Sequence, residues 1–425
     1  MNVYLGIDLG TSGCRGTAID GQARTLAEHA VPLPPPEVPA PGRSQQDPRL
    51  WWQAVRQVLQ ALARDCRDCA VKAVAVDGTS SSLLLCDPEG RPLTPGLMYN
   101  DSRGRDQLPL LQSLAPADSP VLGATSSLAK LLHLQTSRPA VPFHALHQAD
   151  WIMGRLCGRF DLSDENNCLK LGYDPVQRAW PSWMDGLQLP PGCLPQVLPA
   201  GTPIGTLTPA VAAETGLDPA TTVVTGTTDA NAAFLATGAS RIGDAVTSLG
   251  RTLVLKILSD QPVFAAAYGI YSHRLGDRGL GGGASNSGGA VCRAYFTDAQ
   301  MRQLSESIDP SAPTGLDYYP PPAPGERFPV NDSAYPPRLS PRPDSDVRFF
   351  QGILEGLTRI EREGYRLLQR LGAPSPRRVI SIGGGAVNEP WRRMREAALG
   401  VPVVRADRQA AAYGVALLGL KWFES

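Results

Sequence analysis

Carboxylates and hydroxyls follow short glycine-containing turns at the ends of several apolar runs. The first such turn, at residues 10–13, carries Thr11 and Ser12 and comes shortly after Asp8. Glycine lets backbone N–H groups approach a ligand closely, and such a turn can wrap around a phosphate. A carboxylate beside it could hold a metal ion or its water. A plain tight turn, in which Asp and Ser satisfy local backbone groups, explains this short stretch equally well.

Three further turns of this kind favour a phosphorylated ligand more strongly than the first one alone. They lie at residues 226–229, 248–252 and 383–388. Asp229 could take a proton from a hydroxyl, or it could cap the helix that we expect to begin at Ala230. The turn at residues 248–252 repeats the strand–turn–strand pattern of the N terminus. It is either a second phosphate hairpin or an unrelated hairpin of the same turn type.

Other nucleotide-binding motifs are missing or incomplete. No GxxxxGK[ST] run occurs, and no lysine lies beside a glycine-rich turn, which excludes a P-loop. The lack of HRD and DFG elements excludes a protein kinase. The run Gly383-x-Gly385-x-x-Asn388, with Asp407 further on, approaches the dinucleotide fingerprint but lacks its third glycine. A nicotinamide-dependent oxidoreductase therefore stays as an alternative.

Composition and charge indicate a globular protein. The 425 residues suffice for two or three domains, 42% are hydrophobic, and 40 basic residues balance 40 acidic ones. This balance gives no indication of a nucleic-acid or membrane partner. No apolar run reaches the ~18 residues that span a bilayer, and we expect a cytoplasmic or other reducing intracellular location. Cys66 and Cys69 have CxxC spacing, but without a second pair or nearby histidines we expect incidental thiols.

The elements that must position these turns alternate between strands and helices, which is typical of α/β architecture. Strands are predicted at residues 3–7, 14–19, 25–30, 71–76, 83–86, 222–225, 378–382 and 401–404, with a further hairpin at 244–256. Helices are predicted at residues 48–62, near 126–135 and 144–157, from 230, and at 344–371, 390–399 and 409–420. A glycine-rich turn is predicted at 280–289 and a proline-rich irregular loop at 310–343.

With DLGTS at residues 8–12 and GTTDA at 226–230, the sequence resembles the FGGY carbohydrate kinases of the actin/hexokinase/Hsp70-like ATPase superfamily. Further motifs follow the family's order along nearly the whole chain: SQQDPRLWW at 44–52, YNDSR at 99–103, SDENNCLK at 163–170, SLGRT at 248–252, GGGASNSGG at 281–289, GERFP at 325–329 and SIGGGAVNEPW at 381–391. Tyr99 replaces the usual tryptophan, and Arg251 replaces a small polar residue. The length is close to that of the short ribulose/xylulose-kinase-like branch.

The resemblance implies an α/β fold of two ribonuclease-H-like (actin-like ATPase) domains, with ATP and sugar in the cleft between them. We expect residues 1–236 to form the N-terminal domain, on the sugar and phosphate side. Residues 237–408 would form the C-terminal domain, on the nucleotide side. Residues 409–425 would form a closing helix that packs back on the first domain. The expected partners are a small-molecule sugar and ATP, with Mg2+ as cofactor, and the expected state is a monomer or a homodimer.

The resemblance also assigns roles to individual residues. Asp229 matches the family's catalytic aspartate and would act as the general base, with metal binding as a possible second role. Asp8 would hold Mg2+ through water. The phosphates would be bound by Thr11, Ser12, Gly13, Gly250, Arg251 and Thr252, and the adenosine by Gly283, Gly384, Gly385 and Asn388. The sugar would be contacted by Asp8, Ser12, Gly13, Thr79, Ser80 and Asp229.

Three of these assignments have structural alternatives. Arg251 could stabilise charge on the triphosphate or be a solvated arginine at a hairpin tip. The hydroxyls of Thr79 and Ser80 could form a turn instead of binding a polyol. Trp391 could line the base pocket or anchor the following helix.

The expected activity is transfer of the γ-phosphate of ATP to a hydroxyl of a small ketose. D-Ribulose is the first choice of acceptor, and D-xylulose or a polyol is the alternative. A non-catalytic ATP- or sugar-binding sensor on the same fold is a candidate from another functional class. The presence of both Asp8 and Asp229 argues against the sensor, because a degenerate kinase tends to lose such groups.

Overall fold

The computed structural model describes residues 1–136 and 141–424, and it divides into two compact units. The first unit comprises Met1–Ala236 together with Ala410–Ser425, and the second comprises Thr237–Gln409. Ser425 lies outside the described residues.

Strands and helices alternate along most of the chain. The strands are β1 (Asn2–Leu9), β2 (Gly13–Asp20), β3 (Thr25–Pro32), β4 (Gln45–Gln46), β5 (Ala70–Gly78), β6 (Leu83–Cys86), β7 (Gly96–Leu97), β8 (His144–His147), β9 (Leu162–Asp164), β10 (Gln196–Leu198), β11 (Pro203–Thr206), β12 (Thr222–Thr228), β13 (Asp244–Leu249), β14 (Leu253–Ser259), β15 (His273–Leu275), β16 (Arg278–Ser285), β17 (Arg378–Ile382) and β18 (Val403–Arg405). The helices are α1 (Pro48–Asp65), α2 (Leu108–Leu114), α3 (Ser127–Thr136), α4 (Gln148–Cys157), α5 (Pro209–Thr215), α6 (Asp229–Ala236), α7 (Gly289–Tyr295), α8 (Asp298–Glu306), α9 (Asp346–Arg370), α10 (Glu389–Leu399) and α11 (Ala411–Glu424).

The main sheet of the first unit has the strand order β11-β12-β5-β1-β2-β3. Strand β5 runs parallel to both β1 and β12, whereas β1 and β2 form an antiparallel hairpin. The carboxyl ends of β1, β5 and β12 therefore meet at one edge of the sheet. Ligands of open α/β sheets bind outside this edge.

Helices cover both faces of this sheet. As predicted, α1 begins with Pro48 after Asp47, whose side chain accepts a hydrogen bond from the backbone N–H of Arg49, and its apolar face is buried. On the other face, α11 packs against β1 and α6. A Cβ on Gly6 would lie 1.9 Å from the carbonyl oxygen of Ala412, so this close contact between strand and helix requires glycine.

The main sheet of the second unit has the order β15-β16-β14-β13-β17-β18, with β13 and β17 parallel. The predicted amphipathic helix is confirmed as α9. Its buried face includes Phe350, Ile353, Leu354, Leu357, Ile360, Tyr365 and Leu368, as the apolar spacing indicated.

Two local predictions are wrong. Much of the glycine-rich segment at 280–289 belongs to strand β16, where a Cβ on Gly282 would lie 2.1 Å from the carbonyl oxygen of Leu255. These glycines allow strands to pack closely instead of forming a turn. The helix predicted at 144–157 begins only at Gln148, because the four residues before it pair with β6 as strand β8.

Two findings bear on the sequence predictions about membrane-spanning segments and about Cys66 and Cys69. In the described ranges, no helix is both long enough and apolar enough to cross a membrane. Cys66 is buried at the end of α1, and burial raises the pKa of its thiol. Cys66 and Cys69 are both free thiols.

Candidate active site

Two carboxylates lie side by side where β1 and β5 end. Asp8 and Asp77 are paired in the parallel register of these strands, so both side chains leave the same face of the sheet. Oδ2 of Asp8 accepts a hydrogen bond from Nη1 of Arg15 at 3.2 Å. Asp77 is fully buried, and neither of its carboxylate oxygens has a hydrogen-bond donor among the described residues.

The carboxylates of Asp8 and Asp77 repel each other, and a nearby positive charge would stabilise them. Burial raises the pKa of Asp77 well above its usual range, and the negative charges of Asp8 and Asp229 raise it further. Burial also raises the pKa of Asp8, while the positive charge of Arg15 opposes that shift. A bound cation or a proton would relieve this repulsion.

Asp229 lies at the same edge of the sheet. It directly follows Thr228, which pairs with Gly78 at the end of β5. Asp229 is half-buried and is itself the first residue of α6, so the helix begins one residue earlier than predicted. Its Oδ1 accepts a hydrogen bond from the backbone N–H of Ala230 at 2.6 Å.

The turn between β1 and β2 is a tight one with an accessible tip. The N–H of Gly10 donates to the carbonyl oxygen of Gly13 at 3.0 Å, and Ser12 is exposed. Nε2 of Gln46 donates to the carbonyl oxygen of Thr11 at 3.2 Å, while Oε1 of Gln46 accepts from Nε1 of Trp51. The motif at 44–52 thus helps to fix the conformation of the hairpin tip.

The segment after β5 carries the predicted sugar-binding hydroxyls. Thr79 is buried, and both its Oγ1 and its backbone N–H donate to Oε1 of Gln148, at 2.9 and 3.1 Å. Ser80 is half-buried, and Ser81 adopts a left-handed φ of 68°. The ammonium of Lys130 donates to the carbonyl oxygen of Ser81 at 2.7 Å. Thr79 is thus held in an internal network, whereas Ser80 is the more accessible hydroxyl.

The second unit contains a cavity of about 700 Å³, a size that suits a small organic ligand. Its walls come from the end of β13, from α7 to α10 and from the glycine-rich loop after β17. The lining residues are Leu249, Gly250, Gly289, Cys292, Arg293, Asp298, Met301, Arg302, Ser305, Glu306, Phe350, Leu354, Gly384, Gly385, Val387, Asn388, Glu389, Pro390 and Trp391. Four predicted nucleotide-binding residues are among them: Gly250, Gly384, Gly385 and Asn388.

The glycine-rich wall of this cavity requires glycine for steric reasons. A Cβ on Gly385 would lie 2.7 Å from the ring of Trp391 and 2.9 Å from Cβ of Leu249. Trp391 is buried, lines the cavity and donates from Nε1 to Oγ1 of Thr358 at 3.0 Å. Trp391 thus lines the cavity and connects α10 to α9, and its role at a base stays a prediction.

Asn388 precedes α10 and caps it. Its Oδ1 accepts from the backbone N–H of Trp391 at 2.9 Å, and its Nδ2 donates to Oγ of Ser305 at 2.8 Å. The side chain is half-buried at the cavity wall.

Three predicted nucleotide-site residues of the second unit lie outside the cavity lining. Arg251 and Thr252 follow Gly250 at the tip between β13 and β14, where Arg251 is exposed. Gly283 lies within β16, and a Cβ there would be 2.4 Å from the ring of Phe328. The ring of Phe328 therefore covers this glycine.

Sequence reasoning missed functional candidates in both units. Asp77 and Arg15 were not among the predicted site residues, although Arg15 closely follows the turn at residues 10–13 and Asp77 lies two residues before Thr79. The contribution of Met301, Arg302 and Ser305 from α8 was also missed, because this short helix carries no recognised motif. The one available signal was the position of Asp77 at the end of a strand, next to the predicted sugar-binding segment.

The edge of the sheet where Asp8, Asp77 and Asp229 lie suits a divalent cation that also binds a phosphorylated ligand. Within residues 1–136 and 141–424, no group of three or more His, Cys, Asp or Glu side chains could hold a metal ion. Magnesium in phosphoryl-transfer sites is bound through one or two carboxylates together with substrate phosphates and waters. Asp8 fits this mode of binding, and the buried oxygens of Asp77 beside it lack donors.

Together, these features define a class of protein. Two α/β units, one with carboxylates at the ends of parallel strands and the other with a cavity behind a glycine-rich loop, form a two-domain sugar-kinase fold. The chain belongs to the FGGY family of carbohydrate kinases: the family's N-terminal domain matches residues 3–236 and its C-terminal domain matches residues 245–421. The protein is therefore a carbohydrate kinase, and the family resemblance of the sequence is confirmed.

The chain is also similar to curated relatives, and its fold matches that of a solved structure. The chain is 27% identical to the xylulose kinase of Escherichia coli K12, over 92% of this chain and 84% of the relative. It is 26% identical to the xylulose kinase of Bacillus subtilis 168, over 100% and 90% of the two chains. The fold matches that of glycerol kinase from Plasmodium falciparum, solved with ADP, with a TM-score of 0.87 at 14% identity over 100% and 90% of the two chains.

Proposed function

We propose that this kinase transfers the γ-phosphate of ATP to a hydroxyl of a ketopentose, with Asp229 as general base. The observation that carries the proposal is the position of Asp229. This carboxylate directly follows a parallel strand, at the edge of the sheet where Asp8 and Asp77 are paired in register. A base at a strand end can reach a substrate hydroxyl at hydrogen-bond distance.

In this proposal, the other predicted residues bind and orient the Mg2+, the phosphates, the sugar and the adenine. Asp8 would hold Mg2+ through water, and the Mg2+ would neutralise phosphate charge when bound. Backbone N–H groups around Ser12 would face phosphate, and Ser80 would contact the sugar. The adenine would occupy the cavity of the second unit, whose walls include Gly385 and Trp391. Because phosphoryl transfer needs positioning and charge stabilisation above all, no covalent enzyme intermediate is required.

D-Ribulose is the proposed acceptor, supported by the resemblance to the short ribulose/xylulose-kinase-like branch. D-Xylulose is the second candidate, and the relatives named xylulose kinase favour it. These two ketopentoses differ only in configuration at C3. The ratio of their kcat/KM values therefore reports how strongly the site discriminates between the two orientations of the C3 hydroxyl. A monomeric or homodimeric state and a cytoplasmic location stay predictions.

The test is an assay of ADP release over a panel of pentuloses, pentitols and glycerol, with wild type and Asp229→Asn. We expect kcat of the variant to fall by about 10²-fold or more, the usual contribution of a general base, while ADP binding is retained. Asp218→Asn is the matched control, because Asp218 is an exposed aspartate of the same unit. Full turnover by Asp229→Asn would refute the role of this residue. ADP binding without turnover of any sugar would favour the sensor instead.

A further inference from the structure

A chain of hydrogen bonds joins α8 to the residue that caps α10. Oγ of Ser305 donates to the carbonyl oxygen of Met301 at 2.6 Å, one helical turn earlier. The same Oγ accepts a hydrogen bond from Nδ2 of Asn388 at 2.8 Å. Oδ1 of Asn388 in turn accepts from the backbone N–H of Trp391 at 2.9 Å. All four residues line the cavity of the second unit.

This chain fixes which way the amide of Asn388 points. The hydroxyl proton of Ser305 is used by Met301, so its oxygen can only accept from Asn388. An amide turned by 180° would place its oxygen against the accepting Ser305 oxygen and its NH2 group against the N–H of Trp391. Two independent contacts therefore select the same orientation of the amide.

The fixed amide keeps hydrogen-bonding capacity for a ligand. An amide oxygen has two lone pairs and an NH2 group has two protons, and the contacts above use one of each. What remains is one acceptor beside one donor on a half-buried side chain at the cavity wall. Adenine offers the complementary pair, an N6–H donor beside the N7 acceptor, whereas guanine offers two acceptors, O6 and N7, along that edge.

We propose that Ser305 is a positioning residue that sets the base specificity of the nucleotide site. It holds the amide of Asn388 in the orientation that pairs with adenine and opposes guanine. The inference rests on the proposed function, because it takes the cavity of the second unit as the adenine site. Without Ser305, one of the two contacts that select this orientation is lost, so a turned amide is less unfavourable than in wild type. The site then binds adenine and guanine with more similar affinities when the purine ring lies in the same place.

The test is calorimetric titration of ADP and of GDP into the full chain without sugar. Wild type, Ser305→Ala and Ser305→Thr are compared, since threonine keeps the hydroxyl. We expect Ser305→Ala to lower the ratio of ADP to GDP affinity about tenfold, which corresponds to ~1.4 kcal/mol, and Ser305→Thr to restore it. Ser113→Ala serves as the matched control, because the hydroxyl of Ser113 in α2 also donates to the carbonyl of an earlier residue, Leu110.

The outcomes separate this inference from the proposed function. If wild type prefers ADP and Ser305→Ala keeps the same ratio, the role of Ser305 is wrong and the adenine site stands. If the loss in Ser305→Ala is matched by Ser113→Ala, the effect comes from general helix stability and the inference is again wrong. If wild type binds neither nucleotide, the proposed function fails and this inference fails with it.

Discussion

A buried ion pair between α9 and α10 is predicted to be a major determinant of the second unit's stability. Arg395 in α10 donates from Nε and Nη2 to the two carboxylate oxygens of Glu361 in α9, at 2.6 and 2.7 Å. Its Nη1 donates to Oγ of Ser381 in β17 at 2.7 Å, and both charged side chains are 1% exposed. Glu361 also accepts from Oγ1 of Thr247 in β13 at 2.6 Å. The pair thus joins two helices to two strands of the sheet.

Replacing Arg395 by methionine leaves the carboxylate of Glu361 buried, with a single hydroxyl donor from Thr247. Breaking a buried pair in this way typically costs about 3–5 kcal/mol, because the remaining charge is uncompensated. Removing both charges in Arg395→Met with Glu361→Leu is expected to recover most of that loss, since each buried charge also carries a desolvation cost. Arg392→Met on the same helix is the matched control. The partners of Arg392, Glu389 and Glu396, are partly exposed, and such pairs contribute about 0–1 kcal/mol.

Hydrogen exchange measured by mass spectrometry reports the local free energy of α9 and α10. A loss of about 3–5 kcal/mol corresponds to exchange that is faster by more than about two orders of magnitude in Arg395→Met. The reasoning would be refuted if Arg395→Met exchanged like Arg392→Met. It would also be refuted if the double variant were less stable than Arg395→Met, because the uncompensated charge would then not be the cause.

Two further predictions concern the first unit. Asp77→Asn is expected to lower kcat for sugar phosphorylation about tenfold, ~1.4 kcal/mol in the barrier, because it removes the carboxyl group beside Asp8 at the proposed cation-binding edge. The raised pKa of Asp77 means that its burial opposes folding increasingly as the pH rises, so the variant is expected to be more stable than wild type at pH 8 in urea unfolding. An inactive variant that is also less stable would point to a structural role. Burial lowers the pKa of Lys130 to about 7, so the unfolded state binds more protons between about pH 7 and pH 10. Wild-type stability should therefore rise across that range and Lys130→Met should not; parallel curves would contradict the shift.

Elements with local signals were predictable from sequence. The 3.6-residue spacing of apolar residues predicted α9, and the Asp47–Pro48 pair predicted the start of α1, because both patterns depend only on neighbours in the chain. Strand β16 was mispredicted as a turn, because its glycines are explained by Leu255 and Phe328, which are distant in sequence. Local composition cannot show which side chain will cover a glycine.

The same distinction applies to the candidate site. Asp8, Gly385 and Asn388 lie in short motifs that can be found by inspection. The proposed role of Asp77 depends on its pairing with Asp8 in the sheet. The proposed role of Ser305 depends on its hydrogen bond with Asn388. Motif searches find residues that act through their own segment, and they miss residues that act through a partner far along the chain.

Helix α11 has a consequence for biosynthesis. The first unit is interrupted by the whole of the second unit and includes residues 410–424, among which Ala412 packs against Gly6. On the ribosome, β1 emerges among the first residues but cannot contact α11 until the entire second unit has been translated. The part of the sheet that α11 covers therefore stays uncovered during elongation, whereas the second unit is contiguous in the chain. The nascent first unit therefore exposes apolar surface until α11 has been translated, and such exposure favours aggregation.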